Sequence, residues 1–350
     1  MNPSKLKIEL AKRGMNNRDL ASKTGYSEKQ ISLIVNGKAP ISKSFANQLV
    51  FLFPETTLNE WDQENRKCET DDFSFWDKEI SLSKILKNSD LQPEEEILLA
   101  KSALKIASPS AYVPSVSANI AHFQKENRKN GIDSRSLSAW IDICLFCYGT
   151  INKIRSDFHE ELFDKYLPLI KGFSSEDPSL TNKYMSMFCQ TVGINVIFVP
   201  SFPTSFVRGL VTKKDGAYFL FITTRYETNE FLWFTFLHEL YHIKNGDLSD
   251  NGISLTEADD NASALAKKYF VGTDFEEFKE KNKNNLTENN IQRFSREHGI
   301  SPGMTITFLW HDKVANYQKF HYLISKADAS SKDNIFKECF EKITIGQSEL

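Results

Sequence analysis

At 350 residues, 40% of them apolar and 12% aromatic, the chain has material for two or three packed domains, and its composition excludes a disordered polypeptide. No signal peptide opens it and no apolar run reaches the ~18 residues that span a bilayer, so a cytoplasmic protein with no membrane partner is expected, its five scattered cysteines reduced. The net charge is only −3, but residues 1–53 hold nine Lys/Arg against Glu9, Asp19 and Glu28, a surplus of six that leaves −9 for the remainder; this asymmetry predicts a basic nucleic-acid-binding head on an acidic body.

The first predicted helix covers 5–13, with Leu6 and Leu10 inward, and Gly14 stops it. Asn16/Asn17 cap a short helix from Arg18 to Lys23, Gly25 makes a tight turn, and Ser27 caps a third helix from Glu28 to Val35 with Ile31 and Ile34 buried. Two short helices about a glycine turn predict a helix-turn-helix, whose second helix enters the DNA major groove. That geometry nominates Lys29, Gln30 and Ser32 for base reading and Asn17, Arg18 and Lys38 for phosphates, with Ser27 a further DNA-binding candidate. The run from Leu20 to Lys38 resembles the XRE-type, phage-repressor-like helix-turn-helix at its Leu-Ala, Gly, Ser, Ile-Ser and Asn-Gly-Lys positions. Its continuation from Ile41 to Asn65, through Trp61, is similar to HigA-type antitoxins, and this resemblance implies a five-helix domain that binds an operator in double-stranded DNA as a homodimer and partners a toxin.

Residues 66–110 read as an acidic helical connector, and 111–192 as a helical region with helices over 120–128, 137–148, 151–170 and 180–192. Cys144-Leu-Phe-Cys147 has a CxxC spacing, but it lies in an apolar helical run without a second pair, which predicts buried thiols. Ile194 to Pro200 reads as a strand, and 207–212 with 217–222 as a hairpin about Asp215-Gly216. The next predicted helix carries Trp233-Phe234-Thr235-Phe236-Leu237-His238-Glu239-Leu240-Tyr241-His242. The spacing His-Glu-x-x-His sets His238 and His242 one turn apart on one face, where both reach a single zinc ion, with Glu239 beside it as the base that takes a proton from water.

The order helix, strand, hairpin and His-Glu-x-x-His helix is similar to the ImmA/IrrE metallopeptidase family, and the likeness resumes from Ile291 to Met304 and at Leu309 to Asp312. It implies a zinc cofactor and a third ligand, a Glu at the start of the following helix. Two registers fit: one supplies Glu257 and the other puts Asn261 in that place, with Asp259 and Asp260 between them. Tyr241 stands where the family usually has glycine, either packing against the next helix or placing its hydroxyl at the cleft. The expected fold is mainly α with a small β-sheet: a five-helix helix-turn-helix domain (1–65), the connector (66–110), the helical region (111–192), an α+β zincin-like domain (193–325) and a tail (326–350). The expected function is a DNA-binding regulator, HigA-like antitoxin or autorepressor, whose metallopeptidase-like domain senses or binds a partner. An active zinc endopeptidase that cleaves a repressor or toxin partner is the alternative.

Overall fold

The computed structural model describes residues 5–61, 72–87, 89–113, 134–200, 208–223, 228–248, 256–327 and 334–348. The chain divides into two units, Met1–Leu86 with Leu91–Val113 and Lys87–Asp90 with Pro114–Leu350. Among the described residues the fold is mainly helical with one three-stranded sheet.

In the first unit, side-chain caps fix where helices begin. Asn16 and Asp19 form a reciprocal capping box on α2 (Asn17–Thr24), after α1 (Lys5–Lys12); Ser27 and Gln30 form another on α3 (Glu28–Val35), and Ser42 caps α4 (Lys43–Leu52). Gly25 closes α2 at φ 75°, a left-handed conformation that costs glycine nothing, and this swings the chain into α3. Leu6, Leu10, Leu20, Ile31, Phe45 and Leu49 bury against Phe53 and Trp61, whose indole N–H donates to Thr56 Oγ1 at 3.0 Å. The expected fifth helix begins over 58–61, and its continuation lies outside the described residues. In the stretch 66–110, α5 (Phe73–Ile80), α6 (Leu82–Ile85) and α7 (Pro93–Leu104) bury Trp76, Ile80, Leu82, Ile85 and Leu99. The helix expected over 120–128 lies outside the described residues.

The second unit begins with α8 (Ser134–Ile151). The expected continuous helix over 151–170 is a correction: the chain leaves the helix after Ile151 and resumes as α9 (Glu160–Tyr166) and α10 (Leu169–Ser174). Competing hydrogen bonds explain the break, because the Asn195 amide accepts from the Arg155 N–H at 2.9 Å and donates to the Arg155 carbonyl at 2.8 Å. Helix α11 (Thr181–Val192) ends at Gly193, φ 81°, where a Cβ would lie 1.9 Å from the Asp157 carbonyl oxygen.

Strands β1 (Asn195–Val199), β2 (Gly209–Lys214) and β3 (Ala217–Thr223) form a sheet of order β1-β3-β2, parallel between β1 and β3 and antiparallel between β2 and β3. Asp215 and Gly216, both at positive φ, make the turn that matches the strands' twist. Alternation along β3 divides its neighbours: Phe219 and Phe221 meet Tyr148 and Trp140 of α8, while Leu220 and Ile222 enter the core built on α12 (Asn229–Lys244) with Trp233, Phe236, Leu237 and Leu240. Around α12 stand α13 (Thr256–Val271), α14 (Phe275–Asn282), α15 (Glu288–His298) and α16 (Pro302–His311), and α17 (Ile335–Ser348) packs on α8. Glu230, buried at the start of α12, accepts from the Ser325 N–H at 3.1 Å, and burial raises its pKa.

Asp312, just past α16, ties three helices. Its Oδ2 takes hydrogen bonds of 2.6 Å from both Lys267 on α13 and Lys279 on α14, and each ammonium lies 5.4 Å from the centre of the Phe275 ring. Burial alone would raise this carboxyl's pKa, but the two lysines and His311 outweigh it and hold it at about 2. Replacing Asp312 with Ala should cost roughly 2–3 kcal/mol in urea unfolding at neutral pH, because two half-buried cations then face each other without the carboxylate. Since the folded pKa lies below the unfolded value of ~3.9, the contribution is complete above that pH. The gap between wild type and variant should therefore close as pH falls from about 4 towards 2; a gap independent of pH over that range would show that the clamp is not ionic.

Candidate functional site

Two constellations carry chemistry, one in each unit. In the first, α3 turns Ile31, Ile34 and Val35 inward, which leaves Glu28, Lys29, Gln30 and Leu33 exposed and Ser32 half-exposed. Arg18, Lys23, Lys38 and Lys43 are exposed on α2, the α3–α4 loop and the start of α4. Three basic residues on or just after α1 behave differently: Lys12 and Arg13 pair with the buried Glu9, Arg13 also with Glu55, and Lys5 with Glu60 at 2.7 Å. These pairs hold Glu9's pKa down, chiefly through the hydrogen bonds from Lys12 and then Arg13. The head's positive surplus is thus concentrated around α2 and α3.

Of the nominated reading residues, Lys29 is exposed, but Gln30 is engaged. Its Oε1 accepts from the Ser27 N–H at 3.2 Å and from the Ser27 hydroxyl at 3.0 Å, completing the α3 capping box. Asn17 is half-buried in the first turn of α2, and Ser32 is bound by the Asn36 amide, which donates to its carbonyl at 2.8 Å. Sequence reasoning missed Leu33 and Lys43. Leu33 was legible as the apolar residue out of phase with Ile31 and Ile34, and Lys43 as the cation next to the Ser42 cap.

In the second unit, α12 brings the two histidines together. The His238 and His242 Nε2 atoms converge to 3.0 Å with their rings at 85°. Each ring is held at its other nitrogen: Asp247 Oδ2 lies 2.9 Å from His242 Nδ1, and Ser263 Oγ lies 3.0 Å from His238 Nδ1. With the proton of His242 directed to Asp247, its Nε2 lone pair faces the other ring, an approach that needs a proton or a cation between the nitrogens. Two nitrogens on one tetrahedral zinc, each ~2.0–2.1 Å from it, stand about 3.3 Å apart, close to the observed separation. A carboxylate behind a metal-binding imidazole, as Asp247 stands behind His242, is a usual orienting device.

Glu239 is 7% exposed and packs beneath edge strand β2. A Cβ on Gly209 would lie 2.7 Å from Glu239 Cγ and from Thr235 Cγ2, and 2.9 Å from Glu239 Oε1, so the absence of a side chain at 209 is what admits the carboxylate. Among the described residues no three His, Cys, Asp or Glu side chains gather as a metal-holding group. Of the residues nominated for a third ligand, the Glu257 and Asp259 side chains lie outside the described residues, and Asp260 and Asn261 are exposed on α13. Tyr241 is half-buried against the core cluster, where burial and then the Asp164 carboxylate raise its hydroxyl pKa. Asp247 and Ser263 had not been singled out. Asp247 had a faint signal, following Gly246, whose positive φ folds the chain back so that the Asp247 N–H reaches the His242 carbonyl; Ser263 comes from another helix and had none.

The geometry of α2, the Gly25 turn and α3 defines a helix-turn-helix protein. Residues 5–44 match the family model of the Cro/C1-type HTH DNA-binding domain, which covers α1 to the start of α4. The chain is accordingly a DNA-binding transcriptional regulator. No curated protein and no solved structure matches it. No described helix is long and apolar enough to cross a membrane.

Gly209→Ala should destabilise the second unit by roughly 1–3 kcal/mol through overpacking against Glu239 and Thr235. On a Glu239→Ala background the same substitution should cost less, with a coupling of about 1 kcal/mol in urea unfolding. Strict additivity would show that β2 and Glu239 are not in steric contact.

Proposed function

We propose that this chain is a HigA-like autorepressor and antitoxin: its first unit grips an operator as a homodimer, and its second is an ImmA/IrrE-like domain that holds zinc and uses that site to sense or bind a toxin partner. The observation that carries this reading is the convergence of two imidazole nitrogens, each ring fixed from behind, in the same chain as a helix-turn-helix with an exposed second helix. His238 and His242 supply two ligands, with the third from the start of α13, where Glu257 is the carboxylate on offer.

A second reading, an active zinc endopeptidase acting on a repressor or toxin, draws on Glu239, which follows His238 on α12 and packs against Gly209 of β2. Zinc at such a site supplies Lewis acidity, bringing a water's pKa to about 7. Glu239 would accept that water's proton at its carboxylate, and the edge of β2 would bound the cleft on one side.

The DNA-binding half is tested by titrating the full chain onto its own promoter region at several salt concentrations. The slope of log K against log salt should be near −0.9 for each phosphate contacted, and Arg18→Ala or Lys38→Ala should each reduce it by about 1 while weakening all sequences alike. Binding indifferent to salt would contradict an operator-gripping role. For the second unit, Asp247→Asn should weaken zinc affinity about 10–100-fold in a competition titration with a chromogenic chelator, with no change in promoter binding. An unchanged zinc affinity would remove Asp247 as the orienting group. Glu239→Gln separates the two readings: a substrate protein cut by wild type and left intact by this variant selects the peptidase, whereas wild type that cuts neither partner selects the sensor.

A further inference from the structure

Exposed positions on a recognition helix differ in what they have left to offer a base pair. On α3 the usual adenine reader is spent. A glutamine recognises adenine by accepting from N6–H through Oε1 while donating to N7 through Nε2. Gln30 Oε1 has two lone pairs and accepts from two donors, the Ser27 N–H and the Ser27 hydroxyl, so both are committed to the helix cap. Pairing with adenine would give up the side-chain half of the capping box, leaving only the Gln30 N–H to Ser27 Oγ bond at the helix start.

What remains is a cation and an apolar group on one face. Lys29 is exposed, and its ammonium suits the O6 and N7 acceptors of guanine. Leu33 stands one turn further on the same face and is 38% exposed, whereas the other apolar residues of α3 are 0–8% exposed. An isobutyl group left partly in water four residues from an exposed lysine gains on contact with apolar surface. The major groove offers such surface at the C5-methyl group of thymine. Charge complementarity names the occupant, because the exposed cations Arg18, Lys23, Lys29, Lys38 and Lys43 all lie on α2, on α3 or between α3 and the start of α4, against the exposed acids Asp19 and Glu28, and suit a phosphate backbone. Four residues along a helix advance ~6 Å, while base pairs are spaced 3.4 Å.

We propose that Leu33 is a specificity residue that reads the methyl group of a thymine in each operator half-site, within about two base pairs of a guanine read by Lys29, and that Gln30 reads no adenine. This rests on the operator-binding reading above and goes beyond it by naming the sequence feature recognised.

The full chain is first used to select binding sites from a random duplex pool. In the selected site each thymine is then replaced singly by deoxyuridine, which deletes only the methyl group. One position per half-site should lose affinity about fourfold, the equivalent of one buried methyl group at ~0.8 kcal/mol. Leu33→Ala should bind the thymine and uracil duplexes equally, and Leu33→Met, which keeps an apolar tip, should restore part of the difference. Gln30→Ala should lower the melting temperature while selecting the same site. Uracil neutral at every position, uracil sensitivity that survives Leu33→Ala, or a site that changes at an adenine in Gln30→Ala would each overturn the inference while leaving operator binding intact. Failure to enrich any sequence from the pool would overturn both.

Discussion

The second unit depends on one steric constraint, the approach of α12 to the edge strand β2. Only a residue without a side chain fits at position 209, since a single added carbon would meet Glu239 and Thr235 at once. That approach fixes the rotation of α12 about its own axis. The rotation places Trp233, Phe236, Leu237 and Leu240 in the core, sets Glu239 under the strand, and leaves His238 and His242 on the flank that faces Ser263 of α13. Local spacing then does the rest, because residues four apart on a helix stand one above the other. The imidazole pair is therefore a consequence of packing.

Residues 1–53 solve a different problem, keeping a positive surface while folding a small core. Their basic residues serve two uses. Lys5, Lys12 and Arg13 neutralise Glu9, Glu55 and Glu60 and brace the domain near Phe53 and Trp61, where the Arg13 guanidinium lies 4.6 Å from the Phe53 ring centre. Those around α2 and α3 remain outward. Such a division lets one composition serve stability and attraction to phosphate together, and net charge read along the sequence does not distinguish the two uses.

Much of this was legible in the residues. Cap residues and glycines marked α2, α3 and the turn between them, and the branched run from Ile194 with the Asp215-Gly216 turn gave the sheet, because these signals act within four or five residues. The His-Glu-x-x-His spacing placed two imidazoles on one face for the same reason. What escaped was set by distant partners: the break after Ile151 follows from an asparagine some forty residues on, Ser263 reaches His238 from another helix, and the Gln30 side chain turns back to its own cap. The Asp312 clamp joins three helices through charges that, in sequence, look like ordinary solvated residues.

The central claim, that His238 and His242 form a metal-holding pair in a DNA-binding regulator, is tested most directly by elemental analysis of the full chain after equilibration with zinc and gel filtration. About one zinc per chain is predicted for the wild type, and close to none for the folded His238→Ala/His242→Ala variant. Equal zinc content in the two proteins, or a wild type that leaves the column without metal, would contradict it.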